Sequence, residues 1–214
     1  MFEEKPAAQT HTRTAGVQRR GVQRRQALLD AAEALLAEHG YQAATLKAIG
    51  QRAGIPTASV YHYFSDRHQV EAELLRRQAR ELDVLIGAAL DDPELRTLRD
   101  AVDAVIDPAF AYFRQHPSCV ELWFPGRQEA LDELVRAFDE AQAEKLSRAL
   151  VERNLITADT PRLALQLAFE VGNRLFDAAF RRSPAGDDAT IAEAKRLVTA
   201  YLETYAAPGP KRHA

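Results

Sequence analysis

Apolar residues recur at three- and four-residue spacing along this chain from Leu28 onward, and nowhere do they alternate with polar residues over the length of a strand. The first spacing puts a stripe on one face of an α-helix; the second is what a half-buried strand needs. The pattern therefore points to an all-α fold of about nine helices. Leu28, Ala31, Ala32, Leu35 and Leu36 mark the inner face of a first helix, which Gly40 ends because glycine tolerates the left-handed conformation there. Thr45 caps a short second helix through Ala53, with Leu46 and Ile49 facing inward. Gly54 turns the chain, and Pro56 keeps Ile55 extended and opens a third helix to about Phe64, with Val60 and Phe64 one turn apart.

Asp66 and Gln69 have the spacing of a capping box for a long fourth helix carrying Val70, Leu74, Gln78, Leu82 and Leu85. A fifth helix covers roughly 95–115, and Pro108 is expected to kink or break it. Helical periodicity continues through a short segment at 118–125 and a longer one at 127–153. Thr160 and Pro161 read as the cap and first residue of a helix reaching Arg182, and a last helix covers about 188–206. The domain reading is a disordered basic arm at 1–19, a helix-turn-helix domain at 20–66, a helical regulatory and dimerisation domain at 67–207, and a disordered tail at 208–214.

Composition removes several classes. With one cysteine in 214 residues, Cys119, neither an intrachain disulfide nor a thiolate zinc site is available. The six histidines do not fall in a metal-binding spacing with acids, and no glycine-rich phosphate loop is present, so no cofactor or metal is expected. His116 and Cys119 invite a nucleophile–base reading, but Pro117 lies between them and no third orienting residue is evident, so no catalytic residue is assigned. The first residues lack the basic and apolar regions of a secretory signal, and no apolar run is long enough to span a membrane; the expected location is the cytoplasm, with no membrane partner.

Charge is distributed unevenly. Residues 1–70 hold nine Lys/Arg against six Asp/Glu, and residues 71–214 hold nineteen against twenty-five, so a formal charge of -3 divides into +3 and -6. A basic N-terminal part on an acidic body suits a polyanion such as nucleic acid, although basic clusters are often only solvated. The short helices 45–53 and 57–64, joined by Gly54-Ile55-Pro56, have helix-turn-helix spacing, with the second helix offered to the major groove. Val60 and Phe64 face inward, which leaves Thr57, Ala58, Ser59, Tyr61 and His62 on the outer surface.

The stretches that carry a resemblance are Arg25-Gln26-Ala27-Leu28-Leu29-Asp30-Ala31-Ala32, His39-Gly40-Tyr41, Thr45 through Ile55, and Ser59-Val60-Tyr61-His62-Tyr63-Phe64. Over residues 24–75, about a quarter of the chain, the sequence closely resembles the N-terminal domain of the TetR family of bacterial transcriptional regulators. The resemblance implies a homodimer bound to a palindromic double-stranded DNA operator, usually as a repressor. It also implies a small-molecule effector, held by the C-terminal helices, that releases the DNA. By position, Thr57, Ala58, Ser59 and His62 take base-facing places, and Thr45, Lys47, Tyr61 and Tyr63 phosphate-facing ones. Arg67 stands where the family usually has lysine, Pro56 where many members have a serine-like cap, and Asp66 where the cap of the next helix is commonly serine. Arg24 and Arg25, adjoining the first helix, are further phosphate candidates.

For the effector, Phe110, Tyr112, Phe113, Trp123, Phe124, Phe138, Phe169, Phe176 and Phe180 are candidate pocket aromatics, and Arg127, Asn173 and Arg174 candidate orienting groups; aromatics at helical spacing are more often plain core. The resemblance implies dimerisation through the last two helices, with Leu163, Leu167, Leu175, Ala178, Ile191, Leu197, Val198 and Tyr201 supplying apolar faces. The alternative reading is a helical ligand-binding or scaffolding protein whose helix-turn-helix does not bind DNA.

Overall fold

The computed structural model describes residues 10–124 and 129–208. Among these, nine α-helices follow one another: α1 (Thr10–His39), α2 (Leu46–Arg52), α3 (Thr57–Val60), α4 (Arg67–Leu90), α5 (Leu98–Gln115), α6 (Ser118–Leu122), α7 (Glu129–Glu152), α8 (Arg162–Arg182) and α9 (Asp188–Glu203). A single 3-10 turn, Tyr41–Ala43, lies between α1 and α2. The described residues contain no strand, only an isolated bridge between Ile156 and Ala206. The fold is all-α, as the periodicity requires.

The chain separates into two compact units, one ending at Leu74 and one starting at Leu75. In the first, α1 packs on α2 and α2 on α3. Leu28, Ile49, Val60, Phe64 and Leu74 are among its fully enclosed side chains. Helix α1 begins at Thr10, so residues 10–19 are its first turns and not the disordered arm expected from their composition. Those ten positions hold alanine, glutamine and arginine beside threonines and one glycine, and the first three are strong helix formers. The remainder of the expected arm, and most of the expected C-terminal tail, lie outside the described residues.

Local chemistry sets the ends. Gly40 has φ 72° and Gly54 φ 65°, the left-handed conformation that favours glycine. Thr45 Oγ1 accepts from the Ala48 N–H at 3.2 Å, as its place before α2 suggested. Asp66 Oδ1 accepts from the Gln69 N–H at 3.0 Å, while the Gln69 side chain reaches back to the Ser65 N–H at 3.1 Å, one residue beyond the expected box. Pro56 is the cap of α3 and not its first residue, and its carbonyl accepts from Ser59 and Val60. The α-helix proper stops at Val60; Tyr61 to Phe64 continue as hydrogen-bonded turns.

In the second unit, α8 and α9 pack along each other, α7 against α8, and α5 against α9. Pro108 does not break α5, which runs unbroken from Leu98 to Gln115. A proline inside a helix costs about 3 kcal/mol. The buried stripe of Val102, Ile106, Phe110 and Phe113 on both sides of it offsets that. Helix α5 starts at Leu98, not at residue 95, because Thr97 and Asp100 form a reciprocal capping box. Thr160 does not cap α8: Pro161 is the cap residue and no side chain bonds there. The Thr160 hydroxyl instead meets the Thr157 hydroxyl at 3.2 Å. Leu85 points outward and Ile86 takes the core position expected for it.

Among the dimerisation candidates, Leu163, Leu167 and Leu197 are exposed, and Val171 joins them. Ile191 and Val198 are buried inside this chain's own core and are not available to a partner. Leu175, Ala178 and Tyr201 are half-buried.

Candidate DNA interface and ligand cavity

The helix-turn-helix is held from within by close approach. A Cβ on Gly50 would lie 2.8 Å from Val60 Cγ2 and 3.0 Å from the Ile55 carbonyl, so only glycine lets α2 sit this near the start of α3. Val60 and Phe64, both fully buried, then fix the rotation of the segment. With those two inside, Thr57, Ala58, Tyr61 and His62 are exposed and Ser59 and Tyr63 half-buried. Thr45 and Lys47, at the start of α2, are exposed, as is Arg24 on α1.

Three arginine–glutamate clamps surround this segment. Arg25 grips Glu73 through two nitrogens, donates to the Tyr63 carbonyl at 3.4 Å, and lies 4.7 Å over the Phe64 ring. Arg52 forks onto Glu38 at 2.6 and 2.5 Å, joining α2 to α1. Arg67 bonds Glu71 and the Tyr41 carbonyl and stacks 3.7 Å over the Tyr41 ring. Glu71 is buried. Arg25 and Arg67, read from the sequence as phosphate-facing cations, thus both hold carboxylate partners; Arg67 is mostly enclosed, whereas Arg25 stays exposed. Planar guanidinium suits such bidentate and stacked use better than lysine. Arg52 was not singled out in the sequence, because a helix-terminal arginine reads as solvated.

The second unit holds a half-open cavity of about 470 Å³. That lies within the roughly 300–1,000 Å³ usual for small-molecule sites. Of the expected residues, Phe113, Trp123, Phe124, Phe169, Asn173 and Phe176 line it. Phe110 does not; it packs edge-on to Phe176 and Phe180, with the Arg114 guanidinium 4.0 Å over its ring. Arg127 lies outside the described residues. The indole N–H of Trp123 donates to Gln78 at 2.9 Å, and Gln78 in turn donates to the Ser118 hydroxyl at 2.9 Å, a buried chain that fixes the ring's plane.

Phe138 and Arg174, also candidates, line it as well, and one wall residue, Asp139, was missed. Phe138 meets Trp123 edge-on with centroids 5.1 Å apart. Beside it, the part-buried carboxylate of Asp139 accepts from the Asn173 amide at 2.5 Å. Burial raises the Asp139 carboxyl to about 7; the Asn173 hydrogen bond opposes the rise, and Glu170 and Glu140 add to it. In the sequence Asp139 stands among Asp132, Glu133, Glu140 and Glu144, so it reads as one more charge on a wet helix face. Away from the cavity, Cys119 is buried and His116 stacks on Tyr112. No group of three metal-ligating side chains occurs among the described residues, and none of their helices is long and apolar enough to cross a membrane.

An exposed helix-turn-helix in one unit and an aromatic cavity in a second, helical unit define a class of two-part DNA-binding regulators. Family profiles agree with both halves. Residues 28–74 match "Bacterial regulatory proteins, tetR family", and residues 97–202 match "Tetracyclin repressor-like, C-terminal domain". The HTH-type transcriptional regulator BetI of Rhizobium meliloti is 28% identical over 188 residues, covering 84% of this chain and 89% of that protein. A TetR-family transcriptional regulator from Streptomyces coelicolor superimposes with TM-score 0.66 at 29% identity, covering 85% of this chain and 99% of the other. SmeT, described as the repressor of a Stenotrophomonas maltophilia multidrug efflux pump, shares the fold with TM-score 0.66 at 20% identity, covering 86% and 91%. The chain belongs to the TetR family of transcriptional regulators, and it is a regulator rather than an enzyme.

Proposed function

We propose that the chain is a cytoplasmic repressor that binds a palindromic operator as a homodimer and is released when a small molecule fills the cavity of its second unit. The observation that carries this reading is the outward display of Thr57, Ala58, Tyr61 and His62 around a fully buried Val60–Phe64 pair. Thr57, Ala58, Ser59 and His62 meet base edges in the major groove. Thr45, Lys47, Tyr61, Tyr63 and Arg24 meet phosphates, which fix register without reading sequence. Arg25 and Arg67 brace the segment from behind.

The exposed stripe of Leu163, Leu167, Val171 and Leu197 supplies the dimer contact. A two-fold dimer presents two recognition helices about 34–36 Å apart, or a multiple of one duplex turn. For release, the supporting case is the cavity itself; the related fold of SmeT has been seen in complex with triclosan. A ligand shifts DNA affinity only by its preference for the state that binds DNA less well.

Gel-shift titration against the DNA upstream of the protein's own gene tests this. The wild type should form one discrete complex resistant to competitor DNA. His62→Ala should change base preference at one position per half-site by about 1–3 kcal/mol. Binding that competitor DNA removes as readily as the specific fragment would contradict the reading.

A further inference from the structure

The cavity's chemistry is specific. Its walls are aromatic and aliphatic, and among them lies the part-buried carboxyl of Asp139, held by Asn173. We propose that the cavity takes an organic cation with an apolar body, its positive charge at the Asp139 carboxylate and its body against Phe113, Trp123, Phe138, Phe169 and Phe176. This rests on the ligand reading above and names the class of ligand.

Three observations carry it. First, the charged groups around the cavity come from α7 and α8. On α7 these are Asp132, Arg136, Asp139 and Glu140, and on α8 Glu170, Arg174 and Asp177; the lining residues from α4, α5 and α9, with Trp123 and Phe124 after α6, carry no charge. Second, both arginines are paired: Arg174 donates to Asp177 at 2.9 Å, and Arg136 lies 3.8 Å from Glu133. Asp177 also meets Arg181, at 2.6 Å, so one carboxylate serves two arginines and the trio carries a net +1. Asp132, Asp139, Glu140 and Glu170 outweigh that single charge and leave the site acidic, a potential that repels an anion and favours a cation. Third, the electron-rich faces of several aromatic rings attract a desolvated cation, an attraction neutral ligands do not share.

Burial, opposed in part by the Asn173 hydrogen bond, holds the Asp139 carboxyl near neutrality. Bringing a cation to Asp139 favours its ionised form, so binding expels a proton and strengthens as pH rises through about 7. Glu140 and Glu170, which face Asp139 from α7 and α8, act in the same sense: they raise its proton affinity when the site is empty and add attraction when a cation is present.

The test uses the full-length protein and its one tryptophan, Trp123, which lines the cavity and reports occupancy by fluorescence. The probes are phenylbutylammonium and the equally sized neutral phenylbutanol, each titrated from pH 5.5 to pH 8. The ionised fraction of Asp139 changes roughly thirtyfold across that range. The expected result is an ammonium affinity at least about tenfold above the alcohol's at pH 8, falling toward it by pH 5.5, with a pH-independent alcohol. Asp139→Asn should remove the difference at every pH and keep alcohol binding. The wild-type pH profile stands by itself if that variant does not fold. An alcohol that binds as well as the ammonium at pH 8, or an ammonium preference that persists at pH 5.5 or in Asp139→Asn, would overturn the cation class and leave the ligand reading intact. Failure of both probes to change Trp123 emission up to millimolar concentration would overturn both.

Discussion

Lys47 and Arg67 carry the same charge near the same segment, but their surroundings differ. Lys47 is exposed on α2, whereas Arg67 is mostly enclosed between Glu71 and Tyr41. Lys47→Ala should weaken binding to all DNA alike and reduce the salt slope by about one, without moving the melting temperature. Arg67→Ala should do the reverse. It removes the guanidinium partner of the buried Glu71 carboxylate, which keeps Tyr41 and His68, and should cost roughly 1–3 kcal/mol of stability with an unchanged salt slope. Denaturant titration and salt-dependent DNA binding on the two variants separate these roles.

Asp139 gives a second prediction at this scale. Its carboxyl binds a proton more tightly folded than unfolded, so the unfolded chain holds fewer protons between the ordinary carboxylate range and about pH 7. Stability is therefore lost as pH rises through that window. Relative to Asp139→Asn, the ligand-free wild type should lose about 1 kcal/mol between pH 6 and pH 8, read by chemical denaturation.

Between residue and fold lies the approach of α2 to α3, which depends on the missing side chain at Gly50. Gly50→Ala pushes a methyl against Val60 Cγ2 and the Ile55 carbonyl. Either α3 shifts outward or Val60 changes rotamer, and overpacking of this kind costs about 1–3 kcal/mol. The expected readouts are a lower melting temperature and a larger fractional loss of specific than of non-specific DNA binding.

The elements of this region were legible because short-range chemistry decides them: Thr45 before α2, glycines at two positive-φ turns, and a buried pair one helical turn apart. Elements decided by long-range packing were less legible. Pro108 read as a break because local rules see only the lost hydrogen bond, while the buried face on both sides of it is invisible to them. Thr160 read as a cap because it precedes a proline, yet its hydroxyl meets Thr157. The cavity was half legible. Eight of its residues announced themselves as aromatics or as a mid-helix asparagine and arginine. Asp139 did not, since acidity in a run of acids says nothing of burial, and Phe110 looked like a wall while serving as packing.

Across the whole molecule, α8 and α9 leave an apolar stripe uncovered. Leu163 is 59% and Leu197 49% exposed, more than a large aliphatic side chain gains from in water. Leu167→Glu places a charge in the middle of that stripe. It should convert a dimer to monomers in sedimentation velocity and abolish operator binding while leaving far-UV helicity and phenylbutylammonium binding in place. The sequence indicated that the last two helices were apolar on more than one side, but not which face the chain would use for itself. Ile191 and Val198 went inward, and Leu163, Leu167, Val171 and Leu197 stayed out.

The central claim is that the segment Thr57–Tyr63 is displayed so that two symmetric copies lie in the major groove. Hydroxyl-radical footprinting of the protein on its own upstream DNA tests this most directly. The account predicts two protected patches of equal extent, related by a two-fold axis and centred one duplex turn or a multiple apart, both lost in a Thr57→Asp, His62→Ala double variant that keeps its melting temperature. A single unsymmetric patch, or protection that survives the double variant, would contradict it.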